Sequence, residues 1–365
     1  MNENEQYSCG CSVKNNEIKY YSVPTVGSVA TEAGNINVIS TKWSLCDYAG
    51  EIRVRLDIGR MNYAVTPGIY AIGKPDRQSP VLVSANYKLS FDILRRELKG
   101  LNVWIIVIDS KGVNVWCAAG KGTFGTEELV RRVNVTGLEK IISIRKLIVP
   151  QLGAPGISAH TVQKLCGFQV IYGPVRASDI KKYIAAGMKA SPEMRHVDFG
   201  VIDRLTVSWL ELALAARIAI LGTVLLIGLV MLIERIPALA GLKGEARLLP
   251  ILFLVSILSG TVFNAVLLPF LPGRAFSLKG GVLGAFICSG VIYASGQYLA
   301  VTTWLSLILM SSGISAFLAL NFTGASTYTS LSGVKKEIRY SIPLIVAMVS
   351  CGAFLEIVHI LRRFM

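Results

Sequence analysis

Five apolar runs in the second half of the chain limit its fold more than any motif does. They cover about residues 212–233, 249–271, 280–300, 303–322 and 341–361, each near the ~20 residues that cross a bilayer as a helix. In the first run, "LALAARIAILGTVLLIGLVMLI", Arg217 stands near one end, where it can snorkel to the interface. The third holds Gly280 and Gly284 at G-x-x-x-G spacing, which permits close helix contact. Charge follows the same division. Residues 206–365 carry 11 Lys and Arg and 5 Asp and Glu, against 26 and 18 in residues 1–205. The expected organisation is a flexible tail, 1–22, a soluble domain, 23–205, and a transmembrane domain, 206–365.

The opening "MNENEQYSCGCSVKNNEIKYY" is polar and has no apolar signal segment. The soluble domain is therefore expected in the cytoplasm, ahead of a multi-pass domain in the cytoplasmic (inner) membrane. That orientation places Arg195, Arg204, Arg274, Lys279, Lys335, Lys336 and Arg339 inside. Arg235, Lys243, Arg247, Arg362 and Arg363 fall outside, a small positive-inside bias. The net charge of +14 is scattered rather than gathered into a stripe, which argues against nucleic acid and for membrane lipid as the neighbour. Seven cysteines (Cys9, Cys11, Cys46, Cys117, Cys166, Cys288 and Cys351) form no C-x-x-C pair, which speaks against a zinc ribbon or an internally held iron–sulfur cluster. The Cys9-x-Cys11 pair could relay a soft metal, but an ordinary tail is the favoured reading.

In the soluble half, strand and helix patterns alternate. "SPVLVSANY" (79–87), "NVWIIVID" (102–109), "KLIVP" (146–150) and "FQVIYG" (168–173) read as strands, and "VNVWCA" (113–118) as a strand returning after the turn "DSKG". "KLSFDILRRELKG" (88–100), "TEELVRRV" (126–133), "SAHTVQKLCG" (158–167) and "ASDIKKYIAAG" (177–187) read as helices. The alternation predicts an α/β layered, Rossmann-like domain with a largely parallel sheet. Ligands of such sheets bind at loops beyond the strands' carboxyl ends, here "SANYKLS", "CAAGKGTFGT", "PQLGAPGISAH" and "YGPVRASD".

"GVNVWCAAGKGTFG" (112–125) holds two competing signals. Gly120–Gly125 spells G-x-G-x-x-G, but a dinucleotide site needs that motif directly after a strand, with an acid closing the next strand. The next strand, "KLIVP", is followed by Gln151. Cys117 is the second signal. A buried structural thiol is one reading; the other is a thiolate metal ligand, favoured by N–H groups at the start of a helix. The residues alone leave the two evenly matched.

"RMNYAVTPGIYAIG", "SPVLVSANYKLSFDILRREL", "GVNVWCAAGKGTFGTEELVRRV", "LIVPQLGAPGISAHTVQKLCGF" and "YGPVRASDIKKYIAAGMKASPEMR" resemble the corrinoid-binding domain of the large subunit of the corrinoid iron–sulfur protein of the acetyl-CoA pathway. The resemblance covers roughly residues 23–205. That subunit carries an iron–sulfur segment and a barrel domain that this chain lacks, and it lacks the five spans. A corrinoid domain with "NVWCAAGK" fused to such spans resembles the membrane-anchored mercury-methylation corrinoid proteins of anaerobic bacteria and archaea.

The resemblance implies a cobalamin or related corrinoid, base-off, with Cys117 as the lower ligand of its cobalt. None of His160, His196 or His359 stands in the D-x-H-x-x-G motif that would supply a histidine instead. It implies a cap segment of Asn114, Val115, Trp116, Ala118, Ala119, Gly120 and Lys121 beneath the ring. N–H groups of Gly122, Thr123, Phe124, Gly125 and Thr126 would meet corrin amides or the tail phosphate. Ser84, Asn86, Tyr87, Lys88 and Ser90 would line the opposite rim, and Tyr172, Gly173, Pro174 and Arg176 the tail. The implied activity is methyl transfer from cobalt to Hg(II). The implied partners are a ferredoxin-like protein with [4Fe–4S] clusters and a methyltetrahydrofolate-dependent methyl donor. A corrinoid methyl carrier without mercury activity is the alternative. A transporter is a third reading, disfavoured because few polar groups (Asn264, Gln297) stand in the spans. Glu356 and His359, at i, i+3 near the end of the last span, are a candidate pair.

Overall fold

"VWIIVI" (103–108) is buried at every position, as a strand covered on both faces of a sheet must be. In the computed structural model, which describes residues 18–325 and 331–364, this strand lies inside a seven-stranded sheet. The chain divides into two units at Val197/Asp198, with Arg55–Asp57 grouping with the second.

In the first unit, β1 (Thr25–Thr31) and β2 (Gly34–Ile39) form a hairpin, followed by α1 (Leu45–Arg55) and β3 (Gly68–Ile72). Next come β4 (Val81–Ala85), α2 (Lys88–Glu97), β5 (Val103–Ile108), α3 (Val115–Lys121), α4 (Thr126–Val135), α5 (Leu138–Ile141) and β6 (Lys146–Val149). A short 3-10 turn, Gln151–Gly156, leads to α6 (Ala159–Cys166), β7 (Gln169–Tyr172) and α7 (Ile180–Ala185). The sheet order is β1-β2-β3-β5-β4-β6-β7. β5, β4, β6 and β7 run parallel, while β3 is antiparallel to β5. The sheet is thus mixed: a parallel half, as expected, extended by an edge of hairpin and β3 that the sequence reading did not include.

One expected element is replaced. Residues 115–121 form the helix α3, not a returning strand. Val113, Val115 and Trp116 favour strands, but Asn114 caps the segment, and Ala118, Ala119 and Lys121 are strong helix formers.

The second unit holds five helical segments long and apolar enough to cross a membrane. α8 is Val201–Arg235; α9 (Lys243–Leu258) continues through a π-helical turn, Ser259–Phe263, into α10 (Asn264–Leu267). α11 (Phe276–Ala294), α12 (Val301–Asn321) and α13 (Leu331–Phe364) follow. α8 begins before the expected run, so Arg217 lies in mid-helix rather than near an end. α11 stops at Ala294, before the expected 300, because Gly296 takes a φ of 66° and ends it.

α12 packs on α9, α11 and α13. A Cβ added at Gly280 would collide with Ala319 Cβ and lie 2.8 Å from Ser315 O, so the G-x-x-x-G helix does make a close contact. At these crossings Ser312 Oγ donates to Gly281 O, Ser315 Oγ to Gly280 O, and Ser306 Oγ to Gly352 O. Small residues and side chain–carbonyl bonds replace the hydrophobic effect, which does not drive helices together inside lipid.

Candidate functional site

β4, β5, β6 and β7 present their carboxyl ends on one edge of the sheet, and the loops there assemble around α3. After Ile108 the chain turns through Asp109–Gly112, with φ of 59° at Lys111 and 69° at Gly112. Asn86, wholly buried behind β4, holds this turn. Its Oδ1 accepts from the N–H groups of Ser110 (3.1 Å) and Gly112 (3.0 Å) and from Ser110 Oγ (2.8 Å), and its Nδ2 donates to Asp109 Oδ1. From α4, Glu128 accepts the Asp109 N–H at 2.9 Å and pairs with Arg131 and Arg132. Burial works to raise both carboxyls, yet both stay below the usual carboxylate range. Lys111, by its side chain and N–H, lowers Asp109; the Asp109 N–H, Arg132 and Arg131 lower Glu128.

The turn delivers Asn114 as the cap of α3. Its Oδ1 accepts the Cys117 N–H at 3.0 Å, fixing Cys117 as the third helical residue. Ala118 and Ala119 are buried, whereas Trp116, Cys117, Gly120 and Lys121 are exposed, and Val115 is half-buried. Cys117, Gly120 and Lys121 share one helical face by their i, i+3, i+4 spacing. The inner face packs on the Gln151–Gly156 turn. Gly156 permits this closeness: a Cβ there would lie 3.1 Å from Ala119 Cα.

Gly122, with φ 80°, closes α3. Its N–H goes to Ala119 O, and those of Thr123 and Phe124 go to Ala118 O. These three N–H groups are therefore committed within the chain. Phe124 is wholly buried. Gly125 caps α4, and Thr126 Oγ1 donates to Gly156 O and accepts the Ser158 N–H. The glycine motif begins inside α3 rather than after a strand, which is the wrong setting for a dinucleotide.

Ser84 is buried, its Oγ on Ala85 O. Tyr87 is buried with Val54 and Tyr63, and Ser90 is half-buried on α2. Lys88 is turned inward, its Nζ 2.9 Å from Asp47 Oδ1 and also on Asp92. At the end of β7, Tyr172 OH donates to Ile157 O; just past it, Gly173 N–H donates to Val149 O and Pro174 O accepts from the Gln151 N–H, while Arg176 is exposed. The structure thus gathers residues 114–126, 151–158 and 172–174, while Lys88 belongs to a buried ion network.

Sequence reasoning missed Gln151. It is half-buried, and its Oε1 is enclosed with no hydrogen-bond partner among the described residues. Its place after β6, where a dinucleotide fold would carry an acid, was the available signal. Elsewhere, His359 Nε2 lies 3.5 Å from Glu245 Oε1, so its partner comes from α9 rather than from Glu356. Among the described residues no three His, Cys, Asp or Glu side chains converge on a metal position. Cys9 and Cys11 lie outside the described residues.

Fold and site together define an α/β domain carrying an exposed, capped cysteine at the carboxyl edge of its sheet, joined in one chain to five apolar helices. Residues 58–184 match the family model described as CO dehydrogenase/acetyl-CoA synthase delta subunit. The acetyl-CoA decarbonylase/synthase complex subunit gamma of Methanopyrus kandleri is 30% identical over 122 residues, 33% of this chain and 26% of that protein. Its counterpart in Methanothermobacter thermautotrophicus is 28% identical over 127 residues, 34% and 27% of the two chains. The corrinoid/iron-sulfur protein large subunit of Moorella thermoacetica is 26% identical over 119 residues, 32% and 26%. The chain spans about a quarter of the length of these relatives. The five apolar helices, from Val201 on, lie outside the family match.

Proposed function

We propose that the α/β unit binds a corrinoid, base-off, and that the chain is a membrane-anchored methyltransferase delivering the cobalt-bound methyl group to Hg(II). The carrying observation is Cys117: a thiol exposed on the outer face of α3, with its backbone held by Asn114. Thiolate sulfur is a soft ligand suited to transition metals. The surroundings fit the group. The exposed face of α3 is open beside Cys117, where Gly120 adds no side chain, and a planar ring needs such a surface. Gln151 Oε1 is a buried acceptor without a donor, and the amide groups at a corrin rim are donors.

A corrinoid supplies a methyl group on cobalt, which an electrophile such as Hg(II) takes together with the bonding electrons. Cys117 would hold the metal through its thiolate sulfur, a donor that favours the higher oxidation level of cobalt. Asn114 orients Cys117, and the Asn86, Asp109 and Glu128 network holds the turn that carries Asn114. Gln151 would orient the ring edge. Renewal of the acceptor state needs a low-potential electron donor, for which a ferredoxin-like [4Fe–4S] protein is the partner class. A methyltetrahydrofolate-dependent system would supply the methyl group. The α/β unit would face the cytoplasm, with the five helices in the inner membrane.

The test is an anaerobic comparison of full-length wild type and Cys117→Ala, each loaded with corrinoid. Loss of a sulfur-dependent change in the cobalt absorption bands, with methylmercury formation reduced to background, supports the reading. Full activity in the variant overturns it. The names of the relatives favour a second reading, a corrinoid methyl carrier of acetyl-CoA-type metabolism. It predicts the same spectra with no methylmercury from the wild type.

A further inference from the structure

α8 buries Arg204, Ser208, Ala215 and Ala219, positions that recur on one helical face. Ala215 and Ala219 pack with Ile257. Val207, one turn from Arg204, packs against Ala265, Leu268, Phe276 and Phe322. Arg204 therefore faces the helical bundle, and only 4% of it is exposed. Its Nε and Nη1 are enclosed and meet no acceptor among the described residues. α10, which packs on α8, brings a second unmatched group. Asn264 is wholly buried, and neither Oδ1 nor Nδ2 has a partner among the described residues. It follows the π-helical turn Ser259–Phe263, a kind of irregularity frequent at functional sites.

A guanidinium taken out of water without a counter-charge is strongly disfavoured, and a paired anion removes most of that penalty. Arg204 stands in the first turn of α8, where the helix dipole also favours an anion. A first turn at the end of a span lies at headgroup depth, where lipid phosphates are the abundant anions. We propose that Arg204 forms a binding site for a phosphate-class oxyanion, with a lipid phosphodiester as its source. The planar fork of Arg matches two phosphate oxygens. The site is independent of the corrinoid reading and stands whether or not that reading holds.

The experiment uses the full chain, lipid-depleted in non-ionic detergent, as wild type, Arg204→Met and Arg204→Lys. Thermal midpoints are followed on adding phosphatidylglycerol, inorganic phosphate, or diacylglycerol, which has the tails without the phosphate. Wild type should gain midpoint with phosphatidylglycerol and not with diacylglycerol. A gain with inorganic phosphate as well would identify the oxyanion alone as sufficient; a gain with phosphatidylglycerol only would identify the lipid as the source. Without additive, Arg204→Met should melt no lower than wild type, because an unmatched charge has been removed, and it should respond to neither phosphate. Arg204→Lys keeps the charge and loses the fork, so its half-maximal phosphatidylglycerol concentration should rise about tenfold. An equal wild-type gain with diacylglycerol, or wild-type responses in both variants, would overturn the proposal.

Discussion

In the α/β unit two buried cations, Lys88 and Arg95, lie against two buried carboxylates, Asp47 and Asp92. In the helical unit Arg204 is equally buried, yet no carboxylate pairs with it among the described residues. Burial works to raise the Asp47 carboxyl, but hydrogen bonds from Lys88 and the Ser44 N–H, with the charges of Lys88 and Arg95, hold it well below the usual carboxylate range. The first unit thus pairs these four buried charges among its own residues. The second relies on tight backbone contacts and Ser–carbonyl bonds and leaves polar groups such as Asn264 and Arg204 unmatched. Enclosing a charge is costly in water and in hydrocarbon alike, so the unmatched Arg204 is what sets the second unit apart.

The sharpest way to break this comparison is at the α11–α12 crossing. Gly280→Leu should destabilise the helical unit by about 3 kcal/mol or more through overpacking, while Gly290→Ala, with nothing within 4 Å of the added carbon, should be neutral. Denaturant unfolding in detergent checks both. Equal effects would mean that the close contact is not what holds the helices.

In the α/β unit, Asn86→Ala strips the Asp109–Gly112 turn of its central acceptor. The expected cost is about 2–3 kcal/mol, from buried donors left unmatched. Hydrogen exchange should quicken at Ser110 and Gly112 and leave the helical unit unchanged.

The smallest effect is with pH. Asp109 and Glu128 have lowered carboxyl pKa values, so their contribution to stability is full above the unfolded-state values near 4 and is lost as pH falls through the folded ones. Stability of the α/β unit should therefore decline below about pH 4, and Glu128→Gln should flatten that decline. An unchanged acid profile in Glu128→Gln would remove Glu128 from the support of the turn.

Much of this was legible in the sequence, and for separable reasons. The strands "VWIIVI" and "KLIV" and the five apolar runs declare themselves because burial on both faces, or in lipid, demands unbroken hydrophobicity. α3 was misread because its first residues favour strands, and the Asn114 cap that decides for a helix is a single hydrogen bond. The hairpin and β3 were missed because partly exposed strands carry a weaker pattern: β1 has no fully buried residue. Lys88 opens the helix expected at 88–100, and its partner Asp47 is forty-one residues away, a pairing that no local pattern encodes.

By itself the sequence determined the division into a water-facing α/β half and a lipid-facing half, and it singled out Cys117. Composition and periodicity are local and suffice for the division, whereas the residues alone left Cys117 balanced between a structural thiol and a metal ligand, and the resemblance alone favoured the second. Only the tertiary structure decided that Cys117 rides exposed on a capped helix and that, among the described residues, Gln151 Oε1 meets no donor and the inward-facing Arg204 no acceptor for its Nε and Nη1. Those outcomes depend on which distant groups arrive beside a side chain, because the energy of a charge or a hydrogen bond is set by its neighbours in space.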